Sequence, residues 1–265
     1  MTPLFSEAGL AALRRFFVKP ALCLFDFDGT LAPLVSDPAR VRLQPSIQLQ
    51  LQAIQSRAPV GIITGRSLAD IRKHLGFKPD YVVGNHGLEG LPGWQAHAPL
   101  NYELCRAWLS SLQSTLTPFG DAIWIEDKSY SLTVHYRHAK DQRAITDILS
   151  ACFATLRPLP RIVPGKFNVS LLPPNAGDKG YAVEQLLRLS RQYRALYVGD
   201  DITDEDVFVL HHPDIFPVRV GVDAPTAADY VIKNHDDITQ LLDWLLMLLP
   251  ASSPTALVTR SLSRQ

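Results

Sequence analysis

The stretch ALCLFDFDGT (residues 21–30) joins an apolar run to two aspartates and a glycine. An apolar run such as 21–26 is typical of a strand that is covered on both faces, as in a parallel sheet. Asp26 falls at the carboxyl end of this strand, which is the edge of an open α/β sheet where ligands bind. Asp28 follows two residues later, and carboxylates this close repel each other unless a cation or a shared proton compensates. The alternative is an ordinary turn, because Asp and Gly favour turns.

Short apolar runs recur along the rest of the chain, at 59–64, 81–84, 195–200 and 215–220. Helix-like stretches separate them, at 46–57, 67–75, 179–192, 203–211 and 236–249. Strands that alternate with helices predict an α/β fold with a doubly wound, Rossmann-like parallel sheet.

The middle of the chain has a different pattern. Residues 124–138 alternate polar and apolar side chains around a predicted turn at 128–130. This alternation is typical of an antiparallel hairpin with one solvated face. A helical stretch at 140–156 and a second candidate pair of strands at 161–173 follow. We therefore expect a smaller α+β unit inserted into the larger layer.

The predicted domain organisation follows from these two patterns. The larger α/β core comprises 1–98 and 177–249, and the inserted α+β cap domain comprises 99–176. The segments at 98–100 and 172–177 are predicted hinges. The tail at 250–265 is rich in Ser, Thr and Pro and is predicted to be mobile.

The composition argues against several classes of partner. The 265 residues include 26 Lys and Arg and 26 Asp and Glu, so a zero formal net charge does not favour nucleic acid or an anionic membrane. No apolar run is long enough to span a bilayer, and the N-terminal sequence lacks the pattern of an export signal.

Cys23, Cys105 and Cys152 lie apart, without metal-ligand spacing. We expect buried thiols in a cytoplasmic protein.

A second acidic cluster, GDDITDED (199–206), follows another predicted strand. Thr203 with Asp206 resembles a capping box, so some of these acids are expected to serve a helix start. Asp200 and Asp201 remain, and they should lie at the same sheet edge as Asp26. Carboxylates gathered from two strand ends suit Mg²⁺.

Two further stretches point to an anion at this edge. Lys179 opens a predicted helix, where the helix dipole disfavours a cation by roughly 0.3–1 kcal/mol unless an anion lies nearby. Thr64 and Gly65 end the second strand, and a hydroxyl with backbone N–H groups at a helix start forms a phosphate cradle. A solvated lysine and an ordinary turn are the alternatives. Arg66 is expected to pair with a core carboxylate.

Four stretches, in this order, resemble the motifs of the haloacid dehalogenase (HAD) superfamily of phosphatases: residues 26–30, Thr64, Lys179 and 199–206. Each of them closes a predicted strand or opens a predicted helix. The resemblance covers 21–98 and 177–245, and an insertion between the second and third motifs is the pattern of members with a large mobile cap.

Within that superfamily the chain is most similar to the trehalose-6-phosphate phosphatases. The stretches that carry this similarity are GNHGLEG (84–90), IEDKSYSLTVHYR (125–137) and PGK (164–166). In that family a glutamate usually stands four residues after the lysine of PGK, and a basic residue precedes the next proline. Ser170 and Leu172 occupy those places here, so either the sugar-binding acid is missing or Glu126 or Asn168 substitutes for it.

The resemblance implies the catalytic roles. Asp26 attacks phosphorus as the nucleophile, and Asp28 acts first as the acid and then as the base. Thr64 and Lys179 bind the transferring oxygens, together with Gly65.

The resemblance also implies a metal site and a sugar site. Mg²⁺ is held by Asp26, the backbone carbonyl of Asp28 and Asp200, and Asp201 supports the site by hydrogen bonding. The residues implied to bind the sugar are His86 and Glu89 of the core and Glu126, Lys128, Arg137 and Lys166 of the cap. His135 is a further candidate.

The function implied by the resemblance is the Mg²⁺-dependent hydrolysis of trehalose 6-phosphate to trehalose and phosphate, in trehalose biosynthesis. A functional link to a trehalose-phosphate synthase follows from it. One alternative is a phosphatase for another sugar phosphate, such as a mannosylglycerate or sucrose phosphate. Another is a non-catalytic sugar-phosphate binder. A receiver-type signalling domain is a third, but it is shorter, lacks the insertion and needs no acid at Asp28.

Overall fold

The computed structural model describes residues 1–35, 40–165, 167–190 and 192–250. Its strands, in chain order, are β1 (Thr2–Pro3), β2 (Leu22–Phe25), β3 (Val60–Ile63), β4 (Tyr81–Val83), β5 (Trp124–Asp127), β6 (Leu132–His135), β7 (Arg161–Gly165), β8 (Asn168–Leu172), β9 (Ala195–Gly199), β10 (Ile215–Val220) and β11 (Tyr230–Ile232). Its α-helices are α1 (Glu7–Phe16), α2 (Pro45–Gln55), α3 (Leu68–Leu75), α4 (Ala98–Leu116), α5 (Gln142–Thr155), α6 (Lys179–Ser190), α7 (Glu205–Phe208) and α8 (Ile238–Leu248).

The larger layer is a parallel sheet whose described strands follow the order β1-β11-β10-β9-β2-β3-β4. β2, β3, β9 and β10 are buried along their whole length, as their apolar sequences predict. β2 lies between β9 and β3, with Phe25 in register with Val198 and Ile62. The carboxyl ends of β2 and β9 therefore bring Asp26 and Asp200 to one edge of the sheet.

Helices cover both faces of this sheet, which confirms the predicted doubly wound arrangement. α1, α2 and α8 pack against one face through side chains such as Leu13, Leu51 and Leu241. α6 and α7 pack against the other face through Val183 and Phe208. Burying one such side chain stabilises a fold by about 1.5–3 kcal/mol. The helices therefore stabilise the sheet whose edge carries the acidic residues.

The smaller sheet is antiparallel, in the order β5-β6-β8-β7, and confirms the predicted separate α+β unit. α4 and α5 cover one face of it through Trp108, Leu149 and Phe153. Alternation along β6 turns Leu132 towards these helices and leaves Thr133 for the opposite face. The opposite face of this sheet carries polar side chains, including that of Thr133. We call this face of the sheet the cap face.

The sequence patterns do not predict β1, α1, α4 or β11. The buried residues of α4 are spaced by three or four positions, at Cys105, Trp108, Leu112 and Leu116, and this spacing was the available signal. α4 begins at Ala98 and β8 ends at Leu172, next to the predicted domain borders. The limits of the two domains stay a prediction.

Two details predicted for residues 203–211 are wrong. The α-helix there spans only Glu205–Phe208 and follows a 3-10 turn at Ile202–Asp204. The capping box of that turn is formed by Asp201 and Asp204, not by Thr203 and Asp206. The 3-10 turn starts one residue before the predicted helix because Asp201, which adopts an extended backbone, is the residue that precedes this turn.

Two other predictions concern the chain ends and membranes. The tail predicted to be mobile lies outside the described residues, apart from Pro250. Within the described ranges, no helix combines the length and the apolar character that crossing a bilayer requires.

Candidate active site

Asp26 lies at the end of β2, where its backbone N–H donates to the Val198 carbonyl at 2.9 Å. The side chain is only 4% exposed, and the Lys179 ammonium donates to its Oδ1 at 2.8 Å. Burial raises the pKa of Asp26 well above its usual range; the charge of Lys179 opposes this rise, while Asp204 and Asp200 add to it. The predicted neighbours Asp26 and Lys179 are thus in direct contact.

Asp204, which the sequence reasoning assigned to no site, is fully buried beside them. Its Oδ1 accepts hydrogen bonds from Lys179 at 2.7 Å and from the Tyr197 hydroxyl at 2.5 Å. Its Oδ2 accepts from the backbone N–H groups of Asp200 and Asp201, each at 2.9 Å. Asp201 itself is exposed. Asp204 therefore holds the loop after β9 by hydrogen bonds, and the support of a metal site by Asp201 stays a prediction.

The donor set at this edge fits a hard divalent cation. Carboxylate oxygens of Asp26, Asp200 and Asp204 lie within 4.8 Å of one another. Burial and the charge of Asp204 raise the pKa of Asp200 to about 7, against the lowering effects of the Thr30 hydrogen bond and the Lys179 charge. Asp204 already accepts bonds at both oxygens, so Asp26 and Asp200 are the members suited to a cation such as Mg²⁺.

Gly29 makes this arrangement possible. Its φ of 92° lies in the left-handed region, and a Cβ at this position would collide with the Asp200 carboxylate. The neighbouring Thr30 hydroxyl donates to Asp200 Oδ1 at 2.8 Å. The DGT turn after Asp26 thus positions the carboxylate that comes from β9.

Asp28 faces a buried guanidinium. Arg66 Nε and Nη2 donate to its two oxygens at 2.6 and 2.7 Å, a bidentate pair that fixes the plane of the carboxylate. Arg66 Nη1 also donates to Asp70 at 2.7 Å and lies 3.1 Å from His74 Nε2. Burial acts against the charge of Arg66, but Asp28 and Asp70 outweigh it and raise the pKa of Arg66. The expected pairing of Arg66 with a core carboxylate is therefore present.

Thr64 and Gly65 follow β3 at the same edge. Thr64 is 1% exposed, and its hydroxyl accepts the backbone N–H of Arg66 at 3.2 Å. A Cβ on Gly65 would lie 2.5 Å from the imidazole of His86, so a glycine is needed for His86 to approach. The Gly65 carbonyl accepts from the Lys128 ammonium of the smaller unit at 3.0 Å.

His86 lies among three cationic side chains. Its φ is 56°, and its ring is half-buried. In the described part of the chain, the buried Nδ1 has no hydrogen-bond partner. Burial lowers the pKa of His86 well below its usual range, and the charges of Lys128, Lys179 and Arg161 lower it further. A neutral imidazole surrounded by cations is a suitable setting for an anionic substrate group.

Glu89 contacts a residue of its own loop. It is 4% exposed and accepts a short hydrogen bond from Asn85 Nδ2 inside its own loop. Asn85 also accepts the Ser131 hydroxyl at 2.7 Å, which joins the loop to the smaller unit. The geometry thus gives Glu89 a place in the loop's own hydrogen-bond network, and its contact with a substrate stays a prediction.

The predicted residues of the smaller unit separate into two groups. Glu126 Oε2 lies 3.0 Å from His135 Nε2 and 3.8 Å from the Lys128 ammonium nitrogen. Burial acts to raise the pKa of Glu126, but the hydrogen bond from His135 and the charge of Lys128 lower it overall. Arg137, by contrast, is exposed beyond the end of β6, with its guanidinium 5.4 Å from the Phe167 ring centroid. Lys166 lies outside the described residues.

Ser170 meets a hydroxyl partner on the cap face. Its Oγ lies 2.9 Å from Thr133 Oγ1, and both residues are buried. Asn168, the other candidate substitute for the missing glutamate, is in register with His135.

Arg161 is a cation that the sequence reasoning missed. Its Nη2 donates to the Gly177 carbonyl at 2.7 Å, next to the start of α6. It lies directly across the strands from Leu172, where the resembling family carries a basic residue. Only the register of β7 and β8 reveals this, because the two positions are far from each other in any sequence motif.

Comparison with known proteins gives consistent findings. The family model described as trehalose-phosphatase matches residues 24–231. The trehalose-phosphate phosphatase of Mycobacterium tuberculosis (strain H37Rv) is 31% identical over 241 residues, which cover 86% of this chain and 61% of that protein. The enzyme of the same name from Mycobacterium leprae is 30% identical over 220 residues, 77% of this chain and 51% of that protein. This chain therefore spans less than two thirds of the length of these relatives.

Solved structures share the fold. The C-terminal domain of Candida albicans trehalose-6-phosphate phosphatase matches with a TM-score of 0.70 at 23% identity, covering 94% of this chain and 99% of that one. The sucrose-phosphatase of Synechocystis matches with a TM-score of 0.54 at 18% identity, covering 87% of this chain and 98% of that one.

Proposed function

Because the chain belongs to the trehalose-phosphatase family, we propose that it hydrolyses trehalose 6-phosphate to trehalose and inorganic phosphate. The observation that supports this most directly is the Asp26–Lys179 contact of 2.8 Å inside a cluster of buried carboxylates. A carboxylate held this way is in place to act as a nucleophile, and the ammonium is in place to bind a phosphoryl oxygen.

In the first step, an Asp26 oxygen attacks phosphorus and the bond between phosphorus and the sugar oxygen breaks. The product on the enzyme is an aspartyl-phosphate, and Asp28 gives its proton to the departing sugar oxygen. Lys179, the Thr64 hydroxyl and the backbone at Gly65 stabilise the charge on the transferring oxygens.

In the second step, water attacks the same phosphorus and the bond to Asp26 breaks. Asp28 takes a proton from that water, which returns both aspartates to their starting forms. To carry a proton, an Asp28 oxygen must give up the hydrogen bond that Arg66 donates to it. The guanidinium can then donate that hydrogen bond to the leaving sugar oxygen.

A divalent cation bound at the carboxylates would support both steps electrostatically. Asp26, Asp200 and the backbone carbonyl of Asp28 would hold Mg²⁺, and the ion would offset the repulsion between the carboxylate and the phosphate dianion. Asp204 positions the loop that carries Asp200.

The cap face would bind the sugar. Glu126, Lys128 and His86 are the residues best placed for this, since Lys128 already reaches the Gly65 carbonyl. Closure of the inserted unit over the core would exclude water from the first step.

A cytoplasmic location suits the free Cys23, Cys105 and Cys152, and a functional link to a synthase stays part of this proposal.

Phosphate release from a panel of esters tests the function. We expect trehalose 6-phosphate to be hydrolysed with a kcat/KM at least about 100-fold above that of glucose 6-phosphate, because the cap-face hydrogen bonds need the second ring. Chelation of Mg²⁺ should remove this activity, and added Mg²⁺ should restore it. Equal rates on both esters would contradict the disaccharide assignment.

A second candidate is a phosphatase for another sugar phosphate. The observation that favours it is the Thr133–Ser170 hydroxyl pair, which puts two small neutral groups where the resembling family carries a glutamate. Adding sucrose 6-phosphate and a mannosylglycerate phosphate to the panel separates the two candidates, since the preferred substrate is the one with the highest kcat/KM.

Arg66→Lys tests whether the guanidinium positions Asp28. Lysine keeps the charge but loses the bidentate contact, so the acid is held less well. We expect kcat on the sugar phosphate to fall by about 10²-fold. The loss should be much smaller on p-nitrophenyl phosphate, whose leaving group needs no proton. Arg188→Lys, at an exposed position of α6, is the matched control, and equal losses on both esters would argue against the positioning role.

A further inference from the structure

Trp124 opens β5 on the cap face and is 46% exposed. One face of its indole ring stacks on the imidazole of His135, with centroids 3.9 Å apart and planes 5° from parallel. Neither the motifs nor the mechanism above gives this residue a role. We call the stacked pair of rings the Trp124 platform.

Strand register places the platform next to the other cap-face residues. Trp124 is in register with His135, and Glu126 with Thr133. Side chains two positions apart on a strand share a face and are separated by about 6.6–6.8 Å. Lys128, Glu126 and Trp124 therefore follow one another along the hairpin, outward from the Lys128 contact with Gly65.

The same face is turned towards the core. Asp70, in the first turn of α3, is close enough that its charge opposes the lowering of the Glu126 pKa. Asp70 also binds the guanidinium that holds Asp28. Glu126 thus lies near Asp70, which shares the Arg66 guanidinium with Asp28, and Trp124 is two residues away from Glu126 on β5.

Contacts within the smaller unit position the platform. His135 Nε2 is 3.0 Å from Glu126 Oε2, which fixes the imidazole, and the stacking then fixes the indole. An exposed flat aromatic face beside a carboxylate combines an apolar surface with hydrogen-bond acceptors. A pyranose ring offers the complementary groups: C–H bonds on one face, which suit the negative face of the indole, and hydroxyls at its rim, which suit Glu126.

We propose that the Trp124 platform binds the sugar ring farther from the phosphate and so selects two-ring over one-ring phosphate esters. This rests on the proposed function only in requiring that the phosphate end of the substrate lies at Asp26. Trp124 is then a specificity-determining residue whose contribution is absent for an ester that lacks the second ring.

The first test compares Trp124→Ala with the wild type on trehalose 6-phosphate and glucose 6-phosphate. We expect the ratio of the two kcat/KM values to fall by about tenfold, through a higher KM for the disaccharide ester. Trp124→Phe should recover part of the ratio, because phenylalanine keeps an aromatic face. Ile162→Ala removes another exposed apolar side chain of the same sheet and should leave the ratio unchanged. An unchanged ratio in Trp124→Ala would overturn the proposal.

A binding measurement makes the test independent of turnover. Trehalose 6-phosphate is titrated into the full-length Asp26→Asn protein while tryptophan fluorescence is followed, and then into the same protein with Trp124→Phe added. We expect the ligand-dependent change to be lost in the second protein, and its persistence there would count against the platform. If the wild type hydrolyses no disaccharide phosphate, the proposed function fails; if it does and both tests are negative, only the platform fails.

Discussion

Asp26→Asn is expected to lower kcat for trehalose 6-phosphate by at least about 10⁴-fold, because an amide oxygen cannot form the aspartyl-phosphate. Asp204 cannot take over, because it is fully buried and both of its oxygens accept hydrogen bonds. The measurement is phosphate release under saturating substrate, with Mg²⁺ present.

The fold should survive this substitution. Asparagine has nearly the same shape as aspartate, and its oxygen can still accept the hydrogen bond that Lys179 now donates to Asp26. Removing one of the crowded carboxylates also relieves repulsion with Asp200 and Asp204. Thermal unfolding of the variant checks this point, and Asp121→Asn, at an exposed position, is the control for an Asp-to-Asn change. Activity close to that of the wild type would show that Asp26 is not the nucleophile.

The core of the fold was predictable because its strands are covered on both faces. Such strands must be apolar throughout, and the continuous apolar runs of β2 and β9 therefore predict these strands from the sequence alone. β1 is different: it has two residues and is held by pairing with Tyr230 and Val231 of β11. A strand that depends on a distant partner leaves no periodic signal of its own.

The residues of the candidate site also differ in whether the sequence alone predicts them. Asp26, Thr64 and Lys179 were predictable since each lies at a strand end or a helix start, where the local position predicts the chemistry. Asp204 was not, because its role depends on contacts with Lys179 and Tyr197 that only the packing of α6 against β9 creates. The sequence pattern assigned the helix start to Thr203 and Asp206, whereas Asp201 and Asp204 form the capping box of this turn.

Lys179→Met should have the largest effect on stability. Lys179 is 2% exposed and contacts Asp26 and Asp204 at 2.8 and 2.7 Å. Methionine fills a similar volume but leaves three carboxylates buried without a compensating charge. Removing one partner of a buried ion pair costs about 3–5 kcal/mol, and we expect the same range here. In a chain of this size that corresponds to a fall in unfolding temperature of roughly 10 °C.

The pattern of rescue distinguishes this electrostatic cause from a packing defect. Without Lys179 the folded state holds protons on these acids more tightly than the unfolded state does, so the loss of stability should be greatest at neutral pH and shrink as the pH falls. Mg²⁺ should raise the unfolding temperature of Lys179→Met more than that of the wild type, because a cation among Asp26, Asp200 and Asp204 replaces the missing charge. Lys19→Met, at an exposed site, controls for the substitution itself. A loss of stability that neither acid nor Mg²⁺ reduces would mean that Lys179 acts by packing and not by neutralising the carboxylates.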